Sequence, residues 1–558
     1  MMPPDRPLGF SGSDFLELLL ALFFVVILWR PWLESLARKF ALKTGWCMII
    51  LALLPIVLRL AILNHHPAPV PDIYDEFGHL LVADTLRHGR LANPPHPFAR
   101  FFETFFVLQQ PTYSSIYPLG QGIALAIGWT IFGHPWAGVL LSTAALCSLC
   151  YWMLRGWTTP GWALAGGMLA VMEFGPLSQW MNSYWGGSFA AAGGCLVFGA
   201  LPRLRVSPSV RDASLLGVGF AINFLTRPYE SIFLAIAVGV FLVLCPPKGN
   251  WLRLGAVSAA VIIPALGLTA LQNKRVTGTF AELPYSLSQY QYGVPAALTF
   301  EKDPIPHREL TPQQEMEYKS QMAFLGGQKE TLISYLLRLE YRARYYRFFF
   351  LAPLYVALPF FFAAFRERRY LWVAGTLLLF ALGINCFPAF QLHYLAGVTC
   401  LFVLVSVVAL ERLGRLSAEA PRFLLILCAA QFLFWYSLHV FENRPFSSDL
   451  RAYETWDEIH QPGEERRRTV ADQLAQIPGK LLVFVSYWPH HMFQDEWVYN
   501  SADIDGSRIV WARDLGAAED AKLRAYYPGR SVWLLEPDAS PPKLSRYDGA
   551  AAQNTAAH

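Results

Sequence analysis

Asp72-Ile73-Tyr74-Asp75-Glu76-Phe77-Gly78-His79-Leu80-Leu81-Val82-Ala83-Asp84-Thr85-Leu86-Arg87-His88-Gly89 is the stretch around which the chain is organised. It follows an apolar run that ends near Asn64. Pro67, Pro69 and Pro71 break the chain before it, and Gly89 closes it. Between these limits the pattern is helical, with Ile73, Phe77, Leu80 and Leu81 forming one apolar stripe. Asp72, Asp75, Glu76 and His79 fall on the other side, because positions three and four apart are helix neighbours. The expectation is a short helix lying apolar face down on a membrane surface, with two adjacent carboxylates at the water boundary. A carboxylate so placed serves as a general base, a metal ligand or a helix cap.

The rest of the chain supplies the membrane. Of 558 residues, 54% are hydrophobic and 15% charged, where a soluble protein carries about 25% charge. Mean hydropathy is +0.32. The net charge of +4 is small and dispersed, which argues against a nucleic-acid partner. The eight cysteines (Cys47, Cys147, Cys150, Cys195, Cys245, Cys386, Cys400 and Cys428) all lie in or beside apolar segments, without zinc-site spacing. They read as small packing residues. Leu18–Leu28 is preceded by Asp14 and Glu17, followed by Arg30-Pro31, and lacks a small-residue cleavage site. It reads as a retained membrane helix rather than a signal peptide.

Apolar stretches long enough to span, or nearly so, lie near 15–33, 46–63, 135–154, 161–177, 186–202, 213–226, 229–245, 252–270, 347–365, 369–386, 394–411 and 422–440. Basic residues mark alternate connections: Arg38, Lys39 and Lys43; Arg155; Arg203, Arg205 and Arg211; Lys248 and Arg253; Arg366, Arg368 and Arg369; Arg412, Arg415 and Arg422. These are expected on the cytoplasmic side. The alternation holds if Pro118–Gly133 lies in the outer interface without crossing, and if 213–245 is a hairpin turning at Thr226-Arg227-Pro228-Tyr229-Glu230. The opposite side then receives the loop 64–134, the loop 271–346 and the tail after residue 441. The fold class is an α-helical polytopic membrane protein of about twelve transmembrane helices with a small C-terminal α/β domain.

Within these parts, Glu315–Tyr346 reads as a helical, basic-amphipathic segment near lipid head groups. The tail reads as a helix from Arg451 to Ile477, strands at Lys480–Tyr487, Arg508–Arg513 and Ser531–Leu535, and a helix at Ala517–Tyr526. Its last dozen or so residues, rich in Ala, Ser and Pro, read as disordered. The expected division is an extra N-terminal helix and loop (1–45), a catalytic membrane module (46–270), an external loop (271–346), C-terminal membrane helices (347–440) and the soluble domain (441–558).

Asp75-Glu76 is the leading candidate for chemistry, weighed evenly against helix-capping acids favoured by the helix dipole. Asp75-Glu76 leads through Gly89 to Pro94-Pro95, and Tyr117-Pro118-Leu119 then opens a second segment ending at Phe132-Gly133. This arrangement resembles the polytopic GT-C glycosyltransferases, nearest to the protein O-mannosyltransferases and the aminoarabinose transferase that modifies lipid A. The match covers residues 46–270 in layout and 72–133 in motif.

The resemblance implies transfer of a sugar from a polyprenyl-phosphate-linked donor, with Asp75 as catalytic base and inversion at the sugar carbon. Glu76 would orient the base or bind a metal, and His79 would pair with Asp75 or serve as an ordinary interfacial histidine. Arg227, deep in an apolar hairpin, is the first candidate for the lipid phosphate, the alternative being a pair with Glu230. His393-Tyr394 is the second, against a plain interfacial pair.

Related enzymes carry another acid in the second external loop. The counterpart Ser178–Gly187 has none, so either Glu173 serves or Asn182 and Tyr184 contact sugar. This leaves metal dependence open. Trp185 and Tyr117 are further candidate contacts. In the tail, Trp488–Asp505 has the composition of a metal-ligand cluster but no matching spacing, and solvated loops are the expected account.

The expected partners are the lipid-linked donor, a lipid, polysaccharide or protein acceptor, and membrane lipids. The expected location is a bacterial-type inner membrane with the C-terminal domain in the periplasm. A transporter, a non-catalytic envelope scaffold, and an oligosaccharide ligase or polymerase are the rival readings.

Overall fold

The computed structural model describes residues 31–547 apart from 247–249, 325–329, 442–463, 490 and 493, together with Leu19, Leu22, Phe23 and Val26. Nearly all of the span expected at 15–33, the start of the expected Arg451 helix, His490 and the expected disordered end lie outside the described residues. The chain forms two compact units, each assembled from three stretches. One comprises Met1–Pro69, Trp136–Leu266 and Thr331–His460; the other comprises Val70–Pro135, Gly267–Glu330 and Gln461–His558.

Among the described residues, six helical stretches are long and apolar enough to cross a membrane: Thr44–Ala61, Trp136–Leu154, Ser188–Val206, Trp251–Thr277, Leu392–Leu413 and Ala420–Phe441. Shorter apolar helices at Pro160–Phe174, Val210–Thr226, Pro228–Leu244 and Arg368–Ile384 occupy the other expected positions. The expected hairpin breaks at Arg227, between Thr226 and Pro228, where proline starts the second helix without needing a backbone donor.

One expected span has a different form. Residues 347–365 are not an α-helix but belong to a run of 3-10 segments, Arg344–Phe349, Ala352–Val356 and Leu358–Arg366. Pro353 and Pro359 each remove a backbone donor, so α-helical bonding does not run through them.

In the first unit, Leu146, Phe174, Phe198, Val373 and Leu404 share one continuous core. All eight cysteines are free; seven are buried and Cys386 is intermediate, in keeping with a packing role. The buried indoles of Trp157 and Trp372 donate to the carbonyls of Phe198 and Ala237, at 2.8 and 2.9 Å. The basic connections knit to their neighbours. Arg155 Nη1 donates to Thr44 Oγ1 at 2.6 Å, Arg203 Nη2 donates to the Trp152 carbonyl at 2.7 Å, and Arg369 and Arg412 both pair with Glu367.

The second unit gathers pieces of the first loop, the second loop and the tail. The tail sheet has the strand order Ile509–Arg513, Leu481–Val485, Ser531–Glu536, Lys543–Arg546. The first three are parallel and the last is antiparallel; this fourth strand was not expected from sequence. Leu481–Val485 is buried on both faces, which suits a central strand of five apolar residues. Leu482 and Phe484 point one way, into a cluster with Phe101, Phe102 and Leu81 of the first loop. Leu481, Val483 and Val485 point the other way, toward Val470 and Leu474 of the helix Glu464–Ala475. The first loop and the tail share the first of these cores.

Two expectations are corrected in this unit. The helix Tyr74–Arg87 does not lie free on a surface. Glu76, Gly78, His79 and Leu81–Thr85 are buried, because the helix Leu119–Phe132 and the tail cover it. A side-chain carbon at Gly122 would meet Val82 Cγ1 at 2.2 Å, so only glycine permits this helix contact. The Leu119–Phe132 helix has 14 residues, which at 1.5 Å per residue is about 21 Å, short of the ~30 Å hydrocarbon core. Second, the segment expected as one amphipathic stretch over 315–346 is two helices, Pro312–Phe324 and Leu332–Ala343. The first buries the polar residues Gln313, Gln314 and Glu317 and belongs to the second unit.

Candidate active site

Asp75 occupies the second position of the helix Tyr74–Arg87, half-buried. Its Oδ1 accepts a hydrogen bond from the Tyr117 hydroxyl. Tyr117 is itself fixed at several points. Its backbone N–H donates to Ser115 Oγ at 3.2 Å, its carbonyl accepts Gln272 Nε2 at 3.0 Å, and its ring lies 4.3 Å from that of His79. The ring fits because residue 78 is glycine: a Cβ there would stand 2.6 Å from Tyr117 Cδ2. Tyr117 thus brings together three of the sequence-predicted residues, Asp75, His79 and itself.

Glu76 is placed differently from its neighbour. It is fully buried (0% exposed), and its Oε2 accepts the backbone N–H groups of Asp72 at 2.8 Å and Ile73 at 3.3 Å. This is the returning half of a capping box, in which the acid at the third helical position satisfies donors at the helix start. Ile73 has no side-chain acceptor to complete the other half. Glu76 therefore fixes the turn from which Asp75 projects.

The tail closes over this helix. The rings of Phe77 and Tyr499 stack 4.2 Å apart and 3° from parallel. Arg467 donates to Asp72 Oδ1 at 3.4 Å, Asp495 Oδ1 at 3.1 Å and the Glu496 carbonyl at 2.7 Å. Asp84 Oδ2 accepts the Ala502 N–H at 2.8 Å.

The tail segment expected as solvated loops is in part buried. Glu496 pairs with Arg513 and accepts the N–H groups of Trp497 and Val498, each at 3.0 Å. His491 Nδ1 lies 2.7 Å from Asp538 Oδ1, and Asp505 meets His96 Nε2 at 3.1 Å. The polar composition of this segment serves these internal pairs. Among the described residues, no group of three or more His, Cys, Asp or Glu is arranged to hold a metal ion.

One acid near this site escaped the sequence reading. Glu317, on Pro312–Phe324, is 7% exposed. Its Oε2 has no hydrogen-bond partner, and its charge interacts with those of Asp75 and Glu496.

In the first unit, the other predicted residues form a second group. The Arg227 guanidinium lies 4.7 Å from the Tyr394 ring centre and 3.9 Å from Glu230 Oε1. The His393 ring lies 5.0 Å from Tyr394 and 5.1 Å from Trp185. Of the two sequence readings of Arg227, the contact with Glu230 is present. Asn182 and Tyr184 are engaged within the protein. Asn182 Oδ1 accepts Arg59 Nε at 2.5 Å while its Nδ2 donates to the carbonyls of Pro176 and Ser178, and the Tyr184 hydroxyl donates to the Pro69 carbonyl at 2.8 Å.

Arg59, absent from the sequence reading, is buried at the end of Thr44–Ala61. It also donates to the carbonyls of His66 and Pro67, at 2.8 and 3.0 Å. A lone arginine closing an apolar run was its signal. Glu173 faces a small cavity lined by Leu169, Phe349, Leu354 and Ser406, and neither of its carboxylate oxygens has a hydrogen-bond partner.

No protein-family model matches the sequence, and no curated protein matches it. Solved structures do. ArnT from Cupriavidus metallidurans in the apo state is 13% identical, with 88% of this chain covering 93% of that one at a TM-score of 0.50. The same enzyme bound to undecaprenyl phosphate is 12% identical over the same shares, at a TM-score of 0.49. An Archaeoglobus fulgidus oligosaccharyltransferase tethered with an acceptor peptide is 13% identical, covering 89% of this chain and 69% of that one at 0.44. The likeness to apo ArnT is one of fold: this chain shares the polytopic helical architecture of that structure.

Proposed function

We propose that the protein is a membrane glycosyltransferase that moves a sugar from a polyprenyl-phosphate-linked donor to an acceptor hydroxyl, with inversion at the anomeric carbon. The observation that carries this reading is the carboxylate of Asp75, half-buried at a helix start and oriented by the Tyr117 hydroxyl. A hydroxyl is a poor nucleophile until its proton is taken, and a single fixed carboxylate is suited to that task. As the acceptor oxygen bonds to the anomeric carbon, its proton passes to Asp75. The bond to the lipid phosphate breaks, and the phosphate leaves with the electron pair.

Arg227, His393 and Tyr394 are the groups proposed to receive the lipid phosphate, where a cation and ring donors offset its charge. Trp185, beside His393, is a candidate sugar contact, and His79 steadies the Tyr117 ring. Glu76 acts by holding the turn that aims Asp75. Asn182 and Tyr184 shape the second external loop through their internal bonds. The proposed setting is a bacterial-type inner membrane, with the Asp75 unit in the periplasm and a lipid, polysaccharide or protein as acceptor.

The test is transfer by the purified protein in lipid, using a panel of polyprenyl-phosphate sugars with membrane extract as acceptor and Asp75→Asn alongside. Consumption of one donor by the wild type alone, with the variant still folded, is the expected result. Equal consumption by both proteins removes Asp75 from the mechanism. Preference for an oligosaccharide donor makes the enzyme a ligase or polymerase, and no consumption across the panel returns the transporter and scaffold readings.

A further inference from the structure

One tail side chain reaches the turn that carries Asp75. Arg467 lies on the helix Glu464–Ala475 and is 7% exposed. Its Nε donates to Asp72 Oδ1 at 3.4 Å. Its Nη2 is shared among the Asp72 carbonyl at 3.2 Å, Asp495 Oδ1 at 3.1 Å and the Glu496 carbonyl at 2.7 Å. The guanidinium also faces two rings, with the centre of Phe77 at 5.1 Å and that of Trp497 at 4.6 Å from its central carbon.

These contacts bracket Asp75, with Asp72 before it in the chain and Phe77 after it. The Asp72 N–H donates to Glu76 Oε2 at 2.8 Å, so the residue gripped by Arg467 is also one that Glu76 caps. The Phe77 ring is covered by Arg467 and by the Tyr499 ring stacked 4.2 Å away. Tyr117 sets the direction of the Asp75 carboxylate from within the first loop. Arg467 fixes, from the tail, the backbone turn from which that carboxylate projects.

An arginine fork is a stiff restraint, because its planar donors match carboxylate and carbonyl acceptors while its face packs on aromatic rings. Arg466, next in the chain, is placed otherwise. Its bonds, to Asp495 at 3.0 Å and to the Pro537 carbonyl, stay within the tail. We propose that Arg467 is a positioning residue for the Asp75 base, through which the C-terminal tail holds the reacting carboxylate in place without touching donor or acceptor. The proposal rests on the reading of Asp75 as base. No bond to Arg467 forms or breaks in the transfer. Loss of its grip lets the turn shift, and a misplacement of about 1 Å costs on the order of 100-fold in rate.

The test uses the full chain in lipid and compares Arg467→Met, Arg467→Lys and Arg466→Met with the wild type. Arg467→Met keeps an apolar stem and removes the fork. Its kcat is expected to fall by about 10- to 100-fold while KM for the lipid-linked donor stays within about twofold. Arg467→Lys keeps the charge and should recover part of that loss. Arg466→Met should stay within about threefold of the wild type. A second readout needs no transfer. Hydrogen–deuterium exchange at the Asp72 and Ile73 amides, both bonded to Glu76, should quicken in Arg467→Met, with exchange in the strand Leu481–Val485 unchanged. Should Arg467→Met fail to fold, Asp72→Asn, which alters the acceptor and leaves the tail complete, carries the same comparison.

An unchanged kcat in Arg467→Met overturns the proposal. So does a raised donor KM at unchanged kcat, which makes Arg467 a substrate contact. An equal loss of kcat in Arg466→Met, or faster exchange throughout Leu481–Val485, also overturns it, since either makes the effect a general loosening of the tail. If the wild type consumes no donor, or Asp75→Asn consumes as much, the functional reading fails, and amide exchange at Asp72 and Ile73 still decides whether Arg467 holds the turn.

Discussion

The Tyr117 hydroxyl donates its hydrogen to Asp75 Oδ1 although 42 residues separate the two in the chain. A hydrogen bond to a charged group is worth about 1.5–3 kcal/mol. Tyr117→Phe is therefore expected to lower the transfer rate by roughly 10- to 100-fold at saturating donor, with the fold intact. Steady-state rates beside a melting curve check this, and an unchanged rate would detach Tyr117 from the base.

Gly78 gives an orthogonal route to the same contact. A methyl group there would stand 2.6 Å from the Tyr117 ring, and the ring must move away. Gly78→Ala is expected to reduce transfer at least as far as Tyr117→Phe, and combining the two should cost little more than Gly78→Ala alone. A double-mutant cycle on transfer rate measures the coupling.

Glu76 is expected to behave as a cap. Its Oε2 accepts two backbone N–H groups. Glu76→Gln retains an acceptor and is expected to keep most activity. Glu76→Ala loses the cap, at a cost of about 0.5–2 kcal/mol in stability, and activity falls with it. Melting temperatures and transfer rates of the two variants separate capping from chemistry: a stable but inactive Glu76→Gln would assign Glu76 to the reaction.

Glu317 carries a pH signature in stability. Its value in the folded state, about 8, lies above the ordinary 4.5 because burial and like charges favour the neutral form. Its contribution to stability is thus fully present below 4.5 and is lost as pH rises through about 8. Glu317→Gln does not lose it, and its advantage over wild type should grow across that window to the order of a few kcal/mol. Melting temperatures over the same range decide, and an advantage that shrinks with rising pH contradicts the burial account.

The sequence carries the membrane helices openly, since each is a largely apolar run. It also carries the turn before Asp75, through three prolines and an acid at the capping position. The 3-10 run at 344–366 was signalled by Pro353 and Pro359, but apolar composition outweighed them in the reading. Arg59 was visible as a charge inside Leu58-Arg59-Leu60, yet its partners Asn182, His66 and Pro67 are fixed only by tertiary packing. Glu317 had no signal of its own. In Glu315-Met316-Glu317 it reads as a solvated helical acid, and its burial depends on first-loop and tail residues far off in the chain. The fourth tail strand, Lys543–Arg546, is short and polar and lacks the alternation that marks a strand.

The three-part composition of the Asp75 unit sets an order of events during synthesis. The third part begins at Gln461 and follows most of the membrane helices. Until it has been made and delivered to the correct side, Asp72 lacks Arg467, Phe77 lacks Tyr499 and the Glu103 carbonyl lacks Arg513. A chain without the third part keeps the Tyr117–Asp75 bond within the first loop but leaves the helix Tyr74–Arg87 without its tail cover.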